Sequence, residues 1–284
     1  VPTLQDFLVY RPRQITQTGQ SLSITSVPNL RDLGGYQTSD GGTIAAGLAY
    51  RSNQLSKISP EDMEKLAALK LRNAFDLRTE VERKKRPEEL PPGVNYVVLD
   101  VLADSPQAGP AQLEILMQDP VKANAELGGG KVQAGFQASY REFVSLPSAQ
   151  REFRNLFLAL GDKEQVPALF HCTTGKDRTG WAAAALLTLL GVPEDVVMKD
   201  YLRSTDYILP AYQDSIDAFV TGGGDPELPR AIMGVKKEYL EAAFEEMQTK
   251  YGSIENYFSE GLGIDTAQQQ ALRDLYLGGN SGNH

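Results

Sequence analysis

Two apolar runs joined by a short polar loop constrain this chain more than any other feature. The first, Val166–Phe170, is short and favours a β-strand, and the second, Trp181–Val192, is an apolar stretch of 12 residues. A run of the first length is typical of a buried strand, and one of the second length is typical of a buried helix. The sequence therefore predicts a strand, a tight loop and a helix inside an α/β fold.

The loop between these runs carries a thiol at one end and a guanidinium at the other. It reads Cys-Thr-Thr-Gly-Lys-Asp-Arg from Cys172 to Arg178, and the helix is predicted to begin near Arg178 or Thr179. The first-turn amides of a helix point back into such a loop with partial positive charge, which favours a bound anion. Thiols at helix N-termini beside cations ionise far more readily than free thiols. Cys172 is therefore a candidate nucleophile, and the loop amides with Arg178 can hold the oxygens of a phosphoryl group.

The alternative is that Cys172 is an inert core residue, which is the usual role of a lone cysteine. The neighbouring residues argue against it. Since glycine makes up about 7% of residues, the combination of Gly175, Arg178 and a hydroxyl at Thr179 is expected by chance on the order of once in a few thousand cases. The loop composition therefore favours a catalytic cysteine.

The rest of the chain alternates predicted strands and helices, with glycine and proline clusters between them. Strands are predicted at Leu48–Arg51, Asn73–Leu77, Val94–Leu99 and Val166–His171. Helices are predicted at Phe136–Ser145, Ala149–Leu160 and Thr179–Leu190, and from Ser59 onward, with Ser59 as N-cap and Asp62 closing a capping box. The last third, from about Glu194, is predicted to be nearly all helix. This order favours an α/β sheet covered on both faces.

Composition excludes some partners and leaves the compartment open. The net charge of -9 disfavours a nucleic-acid partner, and no run reaches the roughly 20 apolar residues of a membrane span. A single cysteine allows no intrachain disulfide, which fits either a reducing or an oxidising compartment. Because the sequence starts at Val1, a removed signal peptide and a chosen expression boundary are both consistent with it. We expect secretion or the periplasm rather than the cytoplasm.

The segment His171–Gly180 resembles the signature of cysteine-based protein tyrosine phosphatases. Its Lys176-Asp177 pair is similar to the loop of the bacterial tyrosine and phosphoinositide phosphatases, a family with mycobacterial and Listeria members. The resemblance covers roughly residues 27–277, with matches in order at Asn29–Gly35, Tyr50–Ser52, Asp76–Arg78, Asp200–Ser204, Gly234–Leu240 and Tyr251–Ser253.

The resemblance implies a fold and an activity. The expected fold is protein-tyrosine-phosphatase-like: one domain over residues 1–284, with a central, mostly parallel sheet flanked by helices. A helical lid is expected at about residues 203–237. The expected activity is hydrolysis of phosphotyrosine, phosphoserine or phosphothreonine, and phosphoinositides through a phosphocysteine, with no metal or other cofactor. An inositol polyphosphate phosphatase and a non-catalytic phosphate-binding pseudophosphatase are the alternatives.

Catalytic roles are expected for Cys172, Arg178 and Asp177. The sequence contains no Trp-Pro-Asp loop, so Asp177 is the first candidate for general acid, with Asp100 and Asp104 as alternatives. His171 is expected to support the loop, because strand alternation turns it away from the substrate. The remaining phosphate-loop residues are Thr173, Thr174, Gly175, Lys176, Thr179 and Gly180.

Two groups of basic residues remain. Arg31, Arg51 and Arg78 are expected to make buried ion pairs, Arg31 with Asp32 or Asp76, rather than a rim for lipid phosphates. The run Arg83–Arg86 is predicted to be a solvated helix end, with transient membrane-surface contact as the alternative. Nothing in the sequence indicates an oligomeric state.

Overall fold

The computed structural model describes residues 17–278, so residues 1–16 and 279–284 of the expected domain lie outside the described residues. Its centre is a five-stranded sheet in the order β1-β2-β5-β3-β4. The strands are β1 (Arg31–Asp32), β2 (Ala49–Ser52), β3 (Asn73–Asp76), β4 (Asn95–Val98) and β5 (Ala168–His171).

Four of the five strands run parallel, and only β1 is antiparallel to its neighbour β2. β5 lies in the middle, so that His171 at its end is in register with Ser52 of β2 on one side and Asp76 of β3 on the other. The carboxyl ends of these strands therefore meet at one edge of the sheet. Open α/β sheets bind their ligands at this edge.

Helices follow or flank the strands as the sequence predicts, which confirms the mixed α/β fold with a helical C-terminal part. The helices are α1 (Pro60–Ala67), α2 (Glu80–Lys85), α3 (Leu113–Leu116), α4 (Pro120–Leu127), α5 (Lys131–Ser145), α6 (Pro147–Leu160), α7 (Arg178–Leu189), α8 (Glu194–Ala211), α9 (Gln213–Thr221), α10 (Glu227–Met233), α11 (Lys237–Tyr251), α12 (Ile254–Asn256) and α13 (Thr266–Leu277). Short 3₁₀ and π-helical turns cover Gly109–Ala111 and Tyr257–Gly261. Within residues 17–278, no helix has the length and apolar character needed to cross a bilayer.

Helix α7 lies in the core. Every residue from Arg178 to Leu187 is buried, and Trp181 packs its ring against those of Phe244 and Tyr257, with centroids 5.3 and 5.6 Å away. A helix enclosed on all sides has to be apolar around its whole circumference, which explains the long apolar run in the sequence. A smaller apolar cluster, which includes Leu66 and Leu169, covers the other face of the sheet.

The start of helix α1 corrects one detail of the sequence analysis. Ser59 is the N-cap and accepts a hydrogen bond from the Asp62 amide at 3.1 Å. The Asp62 carboxylate does not complete a capping box, because it accepts hydrogen bonds from the amide and hydroxyl of Ser26 at 2.9 and 2.5 Å. A partner 36 residues away in the chain therefore replaces the local one.

Candidate active site

Cys172 lies at the carboxyl edge of the sheet, directly after the central strand β5. The loop from Cys172 to Asp177 connects β5 to helix α7, as the two apolar runs predict. The cysteine is buried, with 1% of its surface exposed, and the side chains of the loop residues are buried with it.

The carbonyl groups in the first part of the loop are all tied to donors outside it. Because the C=O and N–H of a trans peptide unit point in opposite directions, carbonyls held outward leave the following N–H groups directed toward the loop interior. Within residues 17–278, the amides of Thr173 to Asp177 have no hydrogen-bond acceptor. The carbonyl contacts are Cys172 O with His171 Nδ1 at 2.8 Å, Thr173 O with the Gln54 amide at 2.9 Å, Thr174 O with Asn29 Nδ2 at 3.0 Å and Gly175 O with Arg51 Nη2 at 2.7 Å.

Gly175 allows the loop to lie close to strand β2. Its φ of +72° is in the left-handed region, and a Cβ at this position would be 2.3 Å from the carbonyl oxygen of Ser52. Both the backbone conformation and the space therefore require glycine here. Gly180 has a related role in helix α7, where an added Cβ would lie 3.1 Å from the Tyr201 ring.

Arg178 is held by a two-point ion pair with Glu82 of helix α2. Nη1 and Nη2 donate to the two carboxylate oxygens at 2.7 and 2.6 Å, and Nη2 also donates to Pro110 O at 3.0 Å. Burial would raise the pKa of Glu82, but the charge and hydrogen bonds of Arg178, together with the hydrogen bonds from Thr173 and Thr79, outweigh it and lower that pKa. Within the described chain, Arg178 Nε is buried with no acceptor, so this N–H remains available to an anion in the loop.

The three threonines of the segment differ in their contacts. The hydroxyl of Thr173 donates to Glu82 at 2.6 Å, which ties the loop to the same carboxylate as Arg178. The hydroxyls of Thr174 and Thr179 are buried and lack a partner among residues 17–278. Both are therefore available to hydrogen-bond a group that enters the loop.

Lys176 and Asp177 pair with each other inside the protein. Lys176 Nζ lies 2.7 Å from Asp177 Oδ2 and 4.9 Å from the centre of the Phe136 ring. Burial lowers the pKa of Lys176, and the Asp177 charge opposes that shift. The other oxygen of Asp177 accepts from the Tyr140 hydroxyl at 2.5 Å, and Tyr140 in turn lies 2.7 Å from the Tyr201 hydroxyl.

Tyr140 is the donor in its contact with Asp177. Burial, and after it the Asp177 charge, raise the pKa of Tyr140 well above its ordinary value, so the phenol keeps its proton. Two donors, an ammonium and a phenol, therefore hold the carboxylate in the interior.

The two alternative acids lie in different surroundings. Asp100, just after β4, accepts from the Leu102 amide at 3.0 Å and lies 3.9 Å from Arg83. Burial raises its pKa, against the effect of Arg178. Asp104 instead accepts from the Ser148 amide at 2.8 Å at the start of helix α6. The structure thus brings Asp100 within the electrostatic range of Arg178 and engages Asp104 in a helix-capping contact.

His171 connects the loop to a cluster of charged side chains under the sheet edge. Its Nδ1 donates to Cys172 O at 2.8 Å, and its Nε2 lies 2.7 Å from the Glu88 carboxylate. Burial alone would lower its pKa, but Glu88 and Asp76 outweigh it and raise the pKa to about 9. Asp76, Glu88 and His171 are close enough together to suggest a metal site. A protonated imidazole that donates from both nitrogens has no lone pair for a metal, so the cluster fits an ion-pair network better.

The arginines of the first half of the chain are buried ion-pair partners and not a basic rim. Asp200 of helix α8 accepts from both Arg31 and Arg51 at 3.0 Å, and Arg78 pairs with Asp76 at 2.9 Å. All three guanidinium groups have 0% exposure. The sequence analysis expected Asp32 or Asp76 as the partner of Arg31, and this was wrong. The partner is Asp200, which lies 169 residues further along the chain, so that no local pattern could indicate it.

Several residues of the site carry no sequence signal that predicts their place. Thr79 and Glu82 have the spacing of a capping box, which predicts a helix start. It does not predict that Glu82 reaches Arg178, 96 residues later. Tyr140 and Asn29 likewise contact the loop from distant segments.

A family model and two named proteins match this chain along most of its length. A family model described as the tyrosine phosphatase family matches residues 22–278. A Cupriavidus necator protein provisionally named a tyrosine-protein phosphatase is 30% identical over 276 residues, covering 93% of this chain and 90% of that protein. The triple specificity protein phosphatase PtpB of Mycobacterium tuberculosis is 29% identical over 276 residues, covering 88% and 96%. The crystal structure of P. aeruginosa TpbA has a TM-score of 0.30 and 18% identity, with 66% of this chain and 86% of that one covered.

The contacts of His171 predict how stability depends on pH. Its pKa is about 9 in the folded protein and about 6.5 when unfolded, so its contribution is complete below pH 6.5 and is lost as pH rises through 9. In urea titrations of the wild type, we expect the free energy of unfolding to fall by a few kcal/mol across this window. His171→Asn should be less stable at the low end and show a flatter dependence. Equal slopes for the two proteins would contradict the protonated histidine.

Proposed function

This chain belongs to the tyrosine phosphatase family, and from that premise we propose that it hydrolyses phosphate monoesters through a phosphocysteine on Cys172. The observation that carries the proposal is the outward anchoring of the loop carbonyls, which directs unpaired amides toward the space beside the thiol. Such an array stabilises the charge on the three equatorial oxygens of the transition state. Arg178 adds the buried Nε–H that has no acceptor in the described chain.

The proposed reaction has two displacement steps. The Cys172 thiolate attacks phosphorus, an S–P bond forms, and the P–O bond to the leaving group breaks as that oxygen takes a proton from the general acid. Water then attacks the phosphocysteine, the same carboxylate takes a proton from it, and the thiolate leaves with release of inorganic phosphate. No electron transfer or co-reactant other than water is needed. Thr179, whose buried hydroxyl lacks a partner within residues 17–278, is suited to stabilise the thiolate.

The proposed substrates are phosphotyrosine, phosphoserine or phosphothreonine, and phosphoinositides. The names of the relatives support protein phosphatase activity. Lys176 lies in the interior with Asp177, so a charge at this position is available to a second phosphate only if the pair rearranges. The lipid part of the proposal therefore rests mainly on family resemblance.

The first prediction from the proposed function tests the cysteine mechanism. With EDTA present, wild type is expected to release phosphate from a phosphotyrosine peptide or from a phosphoinositide panel, and Cys172→Ser is expected to lose measurable turnover because the alcohol is a far weaker nucleophile. Release of inorganic phosphate is the readout, and thermal unfolding of both proteins controls for folding. Faster release from inositol hexakisphosphate would favour the polyphosphate alternative. Binding without turnover in wild type would instead favour the pseudophosphatase.

A second prediction identifies the general acid. Asp177 is adjacent to Arg178 in the loop, whereas Asp100 has a raised pKa and stands within electrostatic range of Arg178. We propose Asp177, which accepts from Lys176 and Tyr140 in the resting protein and has to leave these donors and take up a proton from solvent before the first step. Asp177→Asn should lower kcat/KM for a poor leaving group, such as phosphoserine, by about 10²–10⁴-fold. It should lower kcat/KM much less for 4-nitrophenyl phosphate, whose leaving group needs no proton, because kcat/KM reports the first displacement and not the later hydrolysis of the phosphocysteine.

Asp100→Asn is the matched comparison, because it makes the same change in a carboxylate outside the loop. If Asp100→Asn alone shows the dependence on the leaving group, Asp100 is the acid. Asp104→Asn is expected to affect stability rather than the leaving-group dependence, since Asp104 caps helix α6.

The proposed active site is closed, which supports a lid. The crevice beside Thr173 and Glu82 has a volume of about 60 Å³, far below the several hundred Å³ of a typical ligand pocket. Two helices of the expected lid differ in burial. Helix α10 is largely buried, whereas helix α9 is anchored in the core through one buried side chain, Phe219. Helix α9 lies between Pro210 and the turn Gly222–Gly224. We propose that α9 is the element that moves.

The lid hypothesis predicts a change in thiol accessibility. Cys172 is the only cysteine, so alkylation by iodoacetamide followed by mass spectrometry reports one site. Phe219→Ala removes the apolar anchor of helix α9 and should speed alkylation at least about tenfold, because losing a buried phenylalanine costs about 3–5 kcal/mol. Val220→Ala, at a half-exposed neighbour, is the control. Equal rates in both folded variants would contradict a lid formed by α9.

A further inference from the structure

A second, larger cleft lies next to the closed active site. It has a volume of about 710 Å³ and runs between the end of helix α2, the α3–α4 region and helix α9. Its walls combine apolar side chains, such as Met117 and Phe219, with polar and charged ones, such as Arg86 and Glu114. This volume is within the usual range of small-molecule sites.

The cleft is continuous in its lining with the crevice at the phosphate loop. Lys85, Arg86 and Glu114 line both spaces, and the crevice is bordered by Thr173 of the loop. Tyr212 lines the cleft, and burial raises its pKa to about 12, with smaller effects of Glu114, Arg86 and Cys172. Its side chain thus shares the cleft with Lys85 and Arg86. A ligand with one phosphate in the loop would extend into this cleft.

Three of the four basic side chains of the run Arg83–Arg86, where the crevice meets the cleft, have a carboxylate partner within the described part of the protein. The run Arg83–Arg86 is not a uniformly solvated helix end: Arg83 is 24% exposed and bonds to Arg78 O, and Lys84 pairs with Glu80 at 2.7 Å. Lys85 pairs with Glu114 at 2.6 Å.

Arg86 is the exception in this run. Within residues 17–278, it has no carboxylate at ion-pair distance, and its guanidinium donates to Lys85 O at 3.2 Å. It is half-buried and faces both the crevice and the cleft. A half-buried guanidinium with free donors at the wall of a cleft is suited to two-point recognition of a phosphate.

We propose that Arg86 and Lys85 form a subsite for a second phosphate of the substrate, with Glu114 as a competing anion that holds Lys85 in the resting protein. The proposal rests on the proposed function, because the first phosphate has to occupy the Cys172 loop. The substrate class is a small phosphate monoester with a second phosphate on the same scaffold. The second phosphate takes the place of Glu114 at Lys85 and supplies the missing partner of Arg86.

The test compares mono- and bisphosphates of one scaffold. We would measure kcat/KM for phenyl phosphate and resorcinol bisphosphate, and separately for an inositol monophosphate and the corresponding bisphosphate. The quantity of interest is kcat/KM for the bisphosphate divided by kcat/KM for the monophosphate. A bisphosphate can offer two equivalent phosphates, but this factor is the same for every variant and cancels when variants are compared. The aromatic and inositol arms distinguish an aryl scaffold from a cyclic polyol as the source of the second phosphate.

The variants are expected to move this ratio in opposite directions. Arg86→Gln should lower it roughly tenfold, as expected for the loss of a charged hydrogen bond. Glu114→Gln should raise it several-fold, because Lys85 is then free to bind phosphate. Lys84→Gln, which removes a neighbouring positive charge paired with Glu80, should leave it unchanged.

Three outcomes would overturn the subsite. One is a ratio that is equal in Arg86→Gln and wild type. Another is a ratio that falls equally in Lys84→Gln, which would indicate a general charge effect. The third is the same direction of change in Arg86→Gln and Glu114→Gln, which would indicate a structural disturbance. These results leave turnover of the monophosphate intact. No turnover of any substrate by wild type would instead overturn the proposed function and the subsite with it.

Discussion

The ion pair between Arg178 and Glu82 is the contact on which the site depends. A fully buried guanidinium without a counter-charge would cost several kcal/mol, so the first residue of the core helix requires a carboxylate from another element. Glu82 supplies it through both oxygens and also accepts from Thr173. One carboxylate thus fixes the start of helix α7, the start of helix α2 and the loop between Cys172 and Arg178. The Nε–H of the arginine has no acceptor among the described residues, so it remains available to an anion bound in the loop.

A second buried pair gives the loop its shape. Asp200 binds both Arg31 and Arg51, and this holds Arg51 where Nη2 reaches the carbonyl of Gly175. Burial would raise the pKa of Asp200, but the two arginines lower it, so the carboxylate stays ionised between them. The protein has a net charge of -9, yet its buried cations are gathered around one loop. Most of these cations are neutralised locally, and the amides remain to attract an anion. This arrangement makes a net negative charge compatible with the proposed binding of phosphate at this loop.

The closed conformation of the site has two opposite effects: it strengthens the contacts within the loop, and it blocks entry to the loop. Cys172 and the phosphate-loop side chains are buried, and the adjoining crevice has room for little more than water. Burial strengthens each electrostatic contact in the loop because the surroundings polarise less than water. The same burial prevents a substrate from entering the conformation described here. The larger cleft, lined in part by helix α9, is where opening would connect the loop to solvent.

Local patterns in the sequence were enough to predict the strand, the loop and the helix that carry Cys172 and Arg178, because these depend on apolar patterning and on the geometry of one turn. They were also enough to predict the α/β class, since alternating strand and helix signals are local. The partners of the charged side chains depend on the three-dimensional fold: Glu82 for Arg178, Asp200 for Arg31, Tyr140 for Asp177 and Ser26 for Asp62. Each of these contacts joins segments between 36 and 169 residues apart in the chain. A buried charge requires an opposite charge nearby in space, and sequence distance does not restrict which one the fold brings to it.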